Sequence, residues 1–208
     1  MIPDKNLFIV TSALEPRIGL INKEDRFQQT IDTLINLRKK APDALIIFSD
    51  GSPVEPDENN RKEISKYTNC TMYWCNDDQI KDFASSGKKS EAEILLLLKT
   101  ISLLKQNPEL SKMMFSVKRI FKYSARSLLQ DDFKISIYNN SKLFGKYVFK
   151  EKIPTWIDDK SITSHLLITR FFSLCPSLID DYMQTLIKAL NSCIKYGIDT
   201  ENAHFREI

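Results

Sequence analysis

The sequence predicts an α/β fold: a single domain with a mixed, mostly parallel central sheet and helices on both faces. Two continuous apolar runs, residues 7–10 and 44–48, read as strands buried on both sides. Between them Phe27, Ile31, Leu34 and Ile35 recur at the spacing of one helix face. Strand, helix and strand within fifty residues make a βαβ unit, which implies parallel pairing. A length of 208 residues, 42% of them hydrophobic, suffices for one core without staples.

The elements follow in order. Asn22 is placed as N-cap of the first helix, with Glu24 and Asp25 behind it. Arg38, Lys39 and Lys40 suit the negative end of that helix, and Pro42 stops it. A polar stretch with two prolines and a short helix leads to a third strand at 71–74. Ser90 and Glu93 have the spacing of a capping box ahead of a helix that is apolar all round, through Leu104. A short helix at 109–116 precedes a fourth strand at 119–124. Further strands are expected at 146–150 and 165–172, separated by a loop holding Pro154 and Trp156. After Pro176, Ile179, Tyr182, Met183, Leu186, Leu190 and Cys193 hold a helical stripe that Gly197 closes.

Composition removes several function classes. Thirty basic residues against 27 acidic ones leave a net charge of only +3, too little for a nucleic-acid coat. Four cysteines stand without a C-x-x-C pair, and the two histidines, His165 and His204, have no metal-ligand spacing, so reduced buried thiols are expected. No apolar run approaches a membrane span, and the short run near the N-terminus reads as a strand, so a cytoplasmic protein is expected. The glycine-rich fingerprints of dinucleotide and P-loop enzymes are missing, as are the serine-hydrolase and zinc-protease motifs.

In an open α/β sheet, ligands bind beyond the carboxyl ends of the strands. The first strand ends in Thr11 and Ser12 with Arg17 close by, the second in Asp50, Gly51 and Ser52. The fourth runs through Lys122 and Ser124 to Arg126. Hydroxyls, one carboxylate and three cations suit a ligand with a hydrogen-bonding base and a phosphate. Asp50-Gly51 also has the composition of an ordinary turn.

The order VTSA, Arg17, IIFSDGS, GKKSEAE, FKYSARSLLQDDF, GKYVFKEKIPTWID and HLLITRFFSLCPSLIDDY resembles small glycosyltransferase-like proteins of the nucleotide-diphospho-sugar transferase (GT-A type) superfamily. The resemblance covers most of the chain. It implies a nucleotide-binding half over 1–126 and an acceptor-side half over 127–208. It implies that Thr11, Ser12, Arg17, Asp50 and Ser52 meet the nucleotide, with Asp50 on the base. The superfamily carries a D-x-D motif for a divalent metal before the acceptor half. This sequence has none, and Lys122, Ser124 and Arg126 occupy that place. Cationic side chains can neutralise a diphosphate directly, so those three are expected to bind phosphate and no metal is required, with Mn or Mg kept as the alternative. Asp132, Glu201 and His204 are candidate catalytic groups. Glu201 and His204 are three residues apart, hence neighbours if that stretch is helical, although a frayed tail is the expected reading for His204. Arg170 is a further candidate contact, mid-strand in HLLITRFF.

The leading expectation is a glycosyltransferase that moves a sugar from a nucleotide-diphosphate donor to a hydroxyl of a glycan or other acceptor. A non-catalytic nucleotide- or glycan-binding module of the same fold is the alternative. A stacking surface for RNA built on Tyr73, Trp74 and Tyr123 would also need a more basic chain. Nucleic acid is therefore not expected as a partner.

Overall fold

A computed structural model of the chain describes residues 5–15 and 21–208. Arg17 lies outside the described residues. The elements are β1 (Leu7–Ser12), α1 (Lys23–Lys40), β2 (Leu45–Asp50), α2 (Glu58–Ser65), β3 (Cys70–Tyr73), α3 (Asp78–Ser85), α4 (Lys89–Gln106), α5 (Pro108–Phe115), β4 (Ile120–Ser124), α6 (Ile135–Tyr138), β5 (Val148–Phe149), β6 (Lys152–Pro154), β7 (His165–Leu167), β8 (Phe171–Leu174), α7 (Ile179–Tyr196) and α8 (Thr200–Glu207). Six strands form one sheet in the order β3-β2-β1-β4-β8-β5, and β6 pairs with β7 separately. The first four strands are parallel, with Leu7 in register with Leu45 on one side and Ile120 on the other. β8 runs antiparallel to both β4 and β5.

Both faces of β1 are buried because successive side chains point opposite ways. Leu7 and Ile9 join Ile47, Ile120 and Phe172 beneath α4, α7 and α8. Phe8 and Val10 join Ile46, Phe48, Phe121 and Tyr123 beneath α1 and α2. Phe8 stacks on Phe121 with ring centroids 4.5 Å apart. Each such fully buried side chain contributes roughly 1.5–3 kcal/mol by leaving water. α1 forms as its sequence dictates: the Asn22 side chain accepts from the Asp25 amide at 2.8 Å, and the helix ends before Pro42. α7 stops at Gly197, whose φ of 64° is left-handed, a backbone conformation that residues with a Cβ rarely adopt.

Three expectations are corrected. α4 begins at Lys89, with no side-chain cap, so Ser90 and Glu93 form no capping box. The run 165–172 is two strands: a turn at Thr169 and Arg170 breaks it, β7 joins the small sheet and β8 the large one. Arg170 is accordingly exposed rather than mid-strand, and its carbonyl accepts from the Ser124 amide. The tail is not frayed, because α8 packs on β7 and α7 and buries His204 to 1% exposure. The four cysteines are free thiols. Among the described residues no helix is long and apolar enough to cross a membrane.

Candidate functional site

The chain leaves β1 through α1 on one face of the sheet and reaches β4 through α4 and α5 on the other. Connections that diverge to opposite faces open a crevice between the carboxyl ends of those two strands, the usual ligand site of such sheets. Thr11 and Ser124 are in register at its floor, and the Ala125 amide donates to the Thr11 carbonyl at 3.0 Å.

Asp50 ends β2 beside Ser12 and is 1% exposed. One carboxylate oxygen accepts from the Leu14 amide at 2.8 Å, the other from the Ser52 amide at 3.0 Å. The Ser52 hydroxyl accepts from the Glu15 amide at 2.9 Å. Asp50 and Ser52 thus clamp the loop after β1 onto the loop after β2. Burial raises the Asp50 carboxyl against the pull of these hydrogen bonds. Asp50 is therefore committed to backbone amides rather than to a freely turning dipeptide.

On the α4 face the floor is ionic. Lys122 of β4 is 2% exposed and forms an ion pair with Glu93 from the second turn of α4. Burial works against the Glu93 carboxylate, yet Lys122 and then Arg126 outweigh it and hold the group below its ordinary range. His204 of α8 lies in the same cluster, with Nδ1 against the Thr200 carbonyl at 2.8 Å and Nε2 3.0 Å from the Tyr182 hydroxyl. The Thr200 contact fixes the proton on Nδ1, so Nε2 accepts from Tyr182. Burial first, then Lys122, lowers His204 to about 4, which keeps it neutral. Glu201, one turn earlier, accepts from the Thr169 hydroxyl at 3.0 Å. Burial and then the Glu93 charge raise its carboxyl.

The structure therefore brings Lys122, Ser124, Arg126, Glu201 and His204 to one edge and adds Glu93. Lys122 is not a free cation, because Glu93 already neutralises it. Arg126 is exposed, in the turn after β4, where the Ser127 amide bonds to the Ser124 carbonyl; the strand does not continue through it. Asp132 stands apart. It is exposed in a turn, and its neighbour Asp131 pairs with Lys40 at the far end of α1, beneath the opposite edge of the sheet. Glu93 has the local pattern of a helix start, but its spacing to Leu97, Thr100, Ile101 and Leu104 puts it on the buried stripe of α4.

The sequence matches no family model and no curated protein. Among solved structures the chain is similar to core-mannan synthase A from Aspergillus fumigatus in its Mn/GDP form. The TM-score is 0.52 at 11% sequence identity, over 96% of this chain and 68% of that one. Likeness at that identity is one of fold: the chain has the glycosyltransferase-like α/β fold of GT-A type. Among the described residues no three His, Cys, Asp or Glu side chains converge. Glu93 is held by Lys122, His204 by Thr200 and Tyr182, and Asp50 by two amides.

Proposed function

We propose that the chain transfers a sugar from a nucleotide-diphosphate donor to an acceptor hydroxyl, with the donor lying over the crevice between β1 and β4. The observation that carries this reading is that one edge of a GT-A-type sheet holds, on either side of Glu93, an exposed cation, Arg126, and a half-buried carboxyl raised above its ordinary range, Glu201. The donor occupies the half up to residue 126, and the acceptor approaches from 127–208. Thr11, Ser12 and Ser52 face the nucleoside, and Asp50 shapes the loops that receive it. Ser124 and Arg126 face the diphosphate.

The acceptor oxygen forms its bond to the anomeric carbon as the bond from that carbon to the diphosphate oxygen breaks. The electron pair leaves with the nucleoside diphosphate, and Arg126 meets the charge that develops. The acceptor proton passes to Glu201, whose raised carboxyl binds a proton more readily than an ordinary carboxylate. His204 is a positioning residue: it anchors α8 to α7 through Tyr182 and so aims Glu201.

Thermal shift against nucleoside diphosphates, followed by release of the diphosphate from the matching nucleotide sugar, tests the proposal. One nucleoside diphosphate should stabilise the protein, and its sugar conjugate should be consumed when an acceptor is present. Absence of stabilisation by any nucleotide would refute it. The neutralised Lys122 favours a second reading, a nucleotide-binding module without turnover, which binding with no consumption would select.

A further inference from the structure

The α1 face of the crevice holds a cation that no ion pair compensates among the described residues. Arg26 lies in the first turns of α1, is 7% exposed, and its Nε has no hydrogen-bond partner. Among the described residues it forms no ion pair, and neither Glu24 nor Asp25, which are exposed on the same turn, reaches it. A buried N–H without an acceptor is costly, and native structures rarely keep one without a use.

Its position is set by the helix. Arg26, Thr30 and Thr33 share the buried face of α1 at spacings of four and three. The Thr33 hydroxyl donates to the Ala125 carbonyl at 3.1 Å, which ties this face to the residue preceding Arg126. Arg26 stands two turns above Thr33, roughly 10 Å nearer the helix N-terminus and so nearer the carboxyl edge of the sheet. Burial, and then the like charge of Arg126, work against the protonated form of Arg26. Because Thr33 holds Ala125 and Arg126 follows it, the two guanidiniums stand near each other at the carboxyl edge of the sheet, and among the described residues neither forms an ion pair.

We infer that Arg26 and Arg126 form a diphosphate-binding site on the α1 face, opposite the Glu93–Lys122 pair. The inference rests on the donor proposed above. An anion with several acceptor oxygens would satisfy the orphaned Nε, relieve the repulsion between the two arginines, and lie at the positive end of α1. Lys122 would contribute little, because its charge is already cancelled.

Titration calorimetry with inorganic pyrophosphate and with nucleoside diphosphates tests it, using the full chain and Arg26→Gln, Arg126→Gln and Lys39→Gln variants. Lys39 is an exposed residue at the opposite end of α1 and matches the lost charge. Pyrophosphate should bind the unmodified chain, and each arginine variant should weaken binding by about tenfold or more, the usual effect of losing a charge-assisted contact. Lys39→Gln should bind as the parent does. Without anion, Arg26→Gln should melt no lower than the parent, since an orphaned charge is removed; a structural arginine would lower the melting temperature. Arg126→Gln, on an exposed turn, keeps the test open should Arg26→Gln not fold. Unchanged pyrophosphate affinity in a folded Arg26→Gln overturns the site, as does failure of the unmodified chain to bind pyrophosphate. Nucleotide-sugar consumption that survives both arginine variants overturns the site but leaves the transferase reading standing. Pyrophosphate binding that needs both arginines, with no nucleotide sugar consumed, supports the site and removes that reading.

Discussion

Glu93 and Lys122, 29 positions apart in the chain, meet where the second turn of α4 crosses the end of β4. The lysine side chain is 3% exposed and the carboxylate side chain one-third exposed. The pair is electrically neutral toward a ligand, so the positive potential at the crevice rests on arginine. The same carboxylate raises Glu201 across the cluster, which couples the floor of the crevice to its proposed base.

The asymmetry of that pair gives unequal mutational costs. Glu93→Gln strands an almost fully buried ammonium and should cost about 3 kcal/mol in urea denaturation. Lys122→Met leaves a carboxylate that still reaches water and should cost about 1–2 kcal/mol. Replacing both by apolar residues should recover part of the loss. Strict additivity in the double-mutant cycle would show that the two groups do not interact.

Asp50→Asn should reveal the clamp. An amide in that place must turn an NH2 toward either Leu14 or Ser52, whose backbone amides are donors, so one bond becomes a donor–donor conflict. The expected loss is about 1–3 kcal/mol, with faster hydrogen exchange at the Leu14 and Ser52 amides. Nucleoside diphosphate affinity should fall with the loosened loop. Unaltered exchange together with weakened binding would instead make Asp50 a direct contact of the base.

His204 sets a sign for the pH dependence. The imidazole titrates near 6.5 when unfolded and at about 4 in the fold. Between those values the unfolded chain binds a proton that the native state refuses. The His204 contribution is therefore complete above pH 6.5 and is lost as pH falls toward 4, by about 3 kcal/mol in all. Tyr182, Glu93 and Lys122 face the ring from α7, α4 and β4. Glu201 acts in the opposite sense: its raised carboxyl stabilises at low pH and loses that contribution as pH rises through its folded value. His204→Gln should be less stable at neutral pH but should flatten the decline, measured as urea midpoints at about pH 7 and pH 4.5. An unchanged slope would mean that the ring is protonated in the native state.

Local patterns made the strands and main helices legible: apolar runs for β1 and β2, the Asn22 cap for α1, and the Gly197 stop for α7. Tertiary choices were less so. The turn at Thr169 and Arg170 lies inside an apolar run with neither glycine nor proline to mark it. The pairing of Glu93 with Lys122 joins distant segments, and a carboxylate three residues after a serine has the local look of a cap. Residue types at the strand ends marked one edge of the sheet, but not which charges there are spent on one another. That Arg26 shares a buried face with Thr30 and Thr33 follows from helical spacing, but the absence of a partner is a property of the folded chain.

Arg119 supplies the last prediction, away from the crevice. It opens the approach to β4, is 1% exposed, and has no carboxylate among its bonding partners. Its guanidinium donates to Ser173 Oγ at 3.0 Å and to the carbonyls of Leu143, Lys146 and Ser173 at 2.9, 2.8 and 3.2 Å. A single planar fork thus pins the 143–146 loop to β8, a geometry that an ammonium cannot reproduce. Burial lowers its pKa, which measures what the carbonyls must offset. Arg119→Met leaves the buried Ser173 carbonyl and the half-buried loop carbonyls without their donor and should cost about 3 kcal/mol or more. Arg119→Lys should recover little of that loss, because one point charge cannot reach acceptors on both the loop and the strand. Equal stability of Arg119→Lys and the parent in urea denaturation would mean that charge, rather than the shape of the guanidinium, holds the loop.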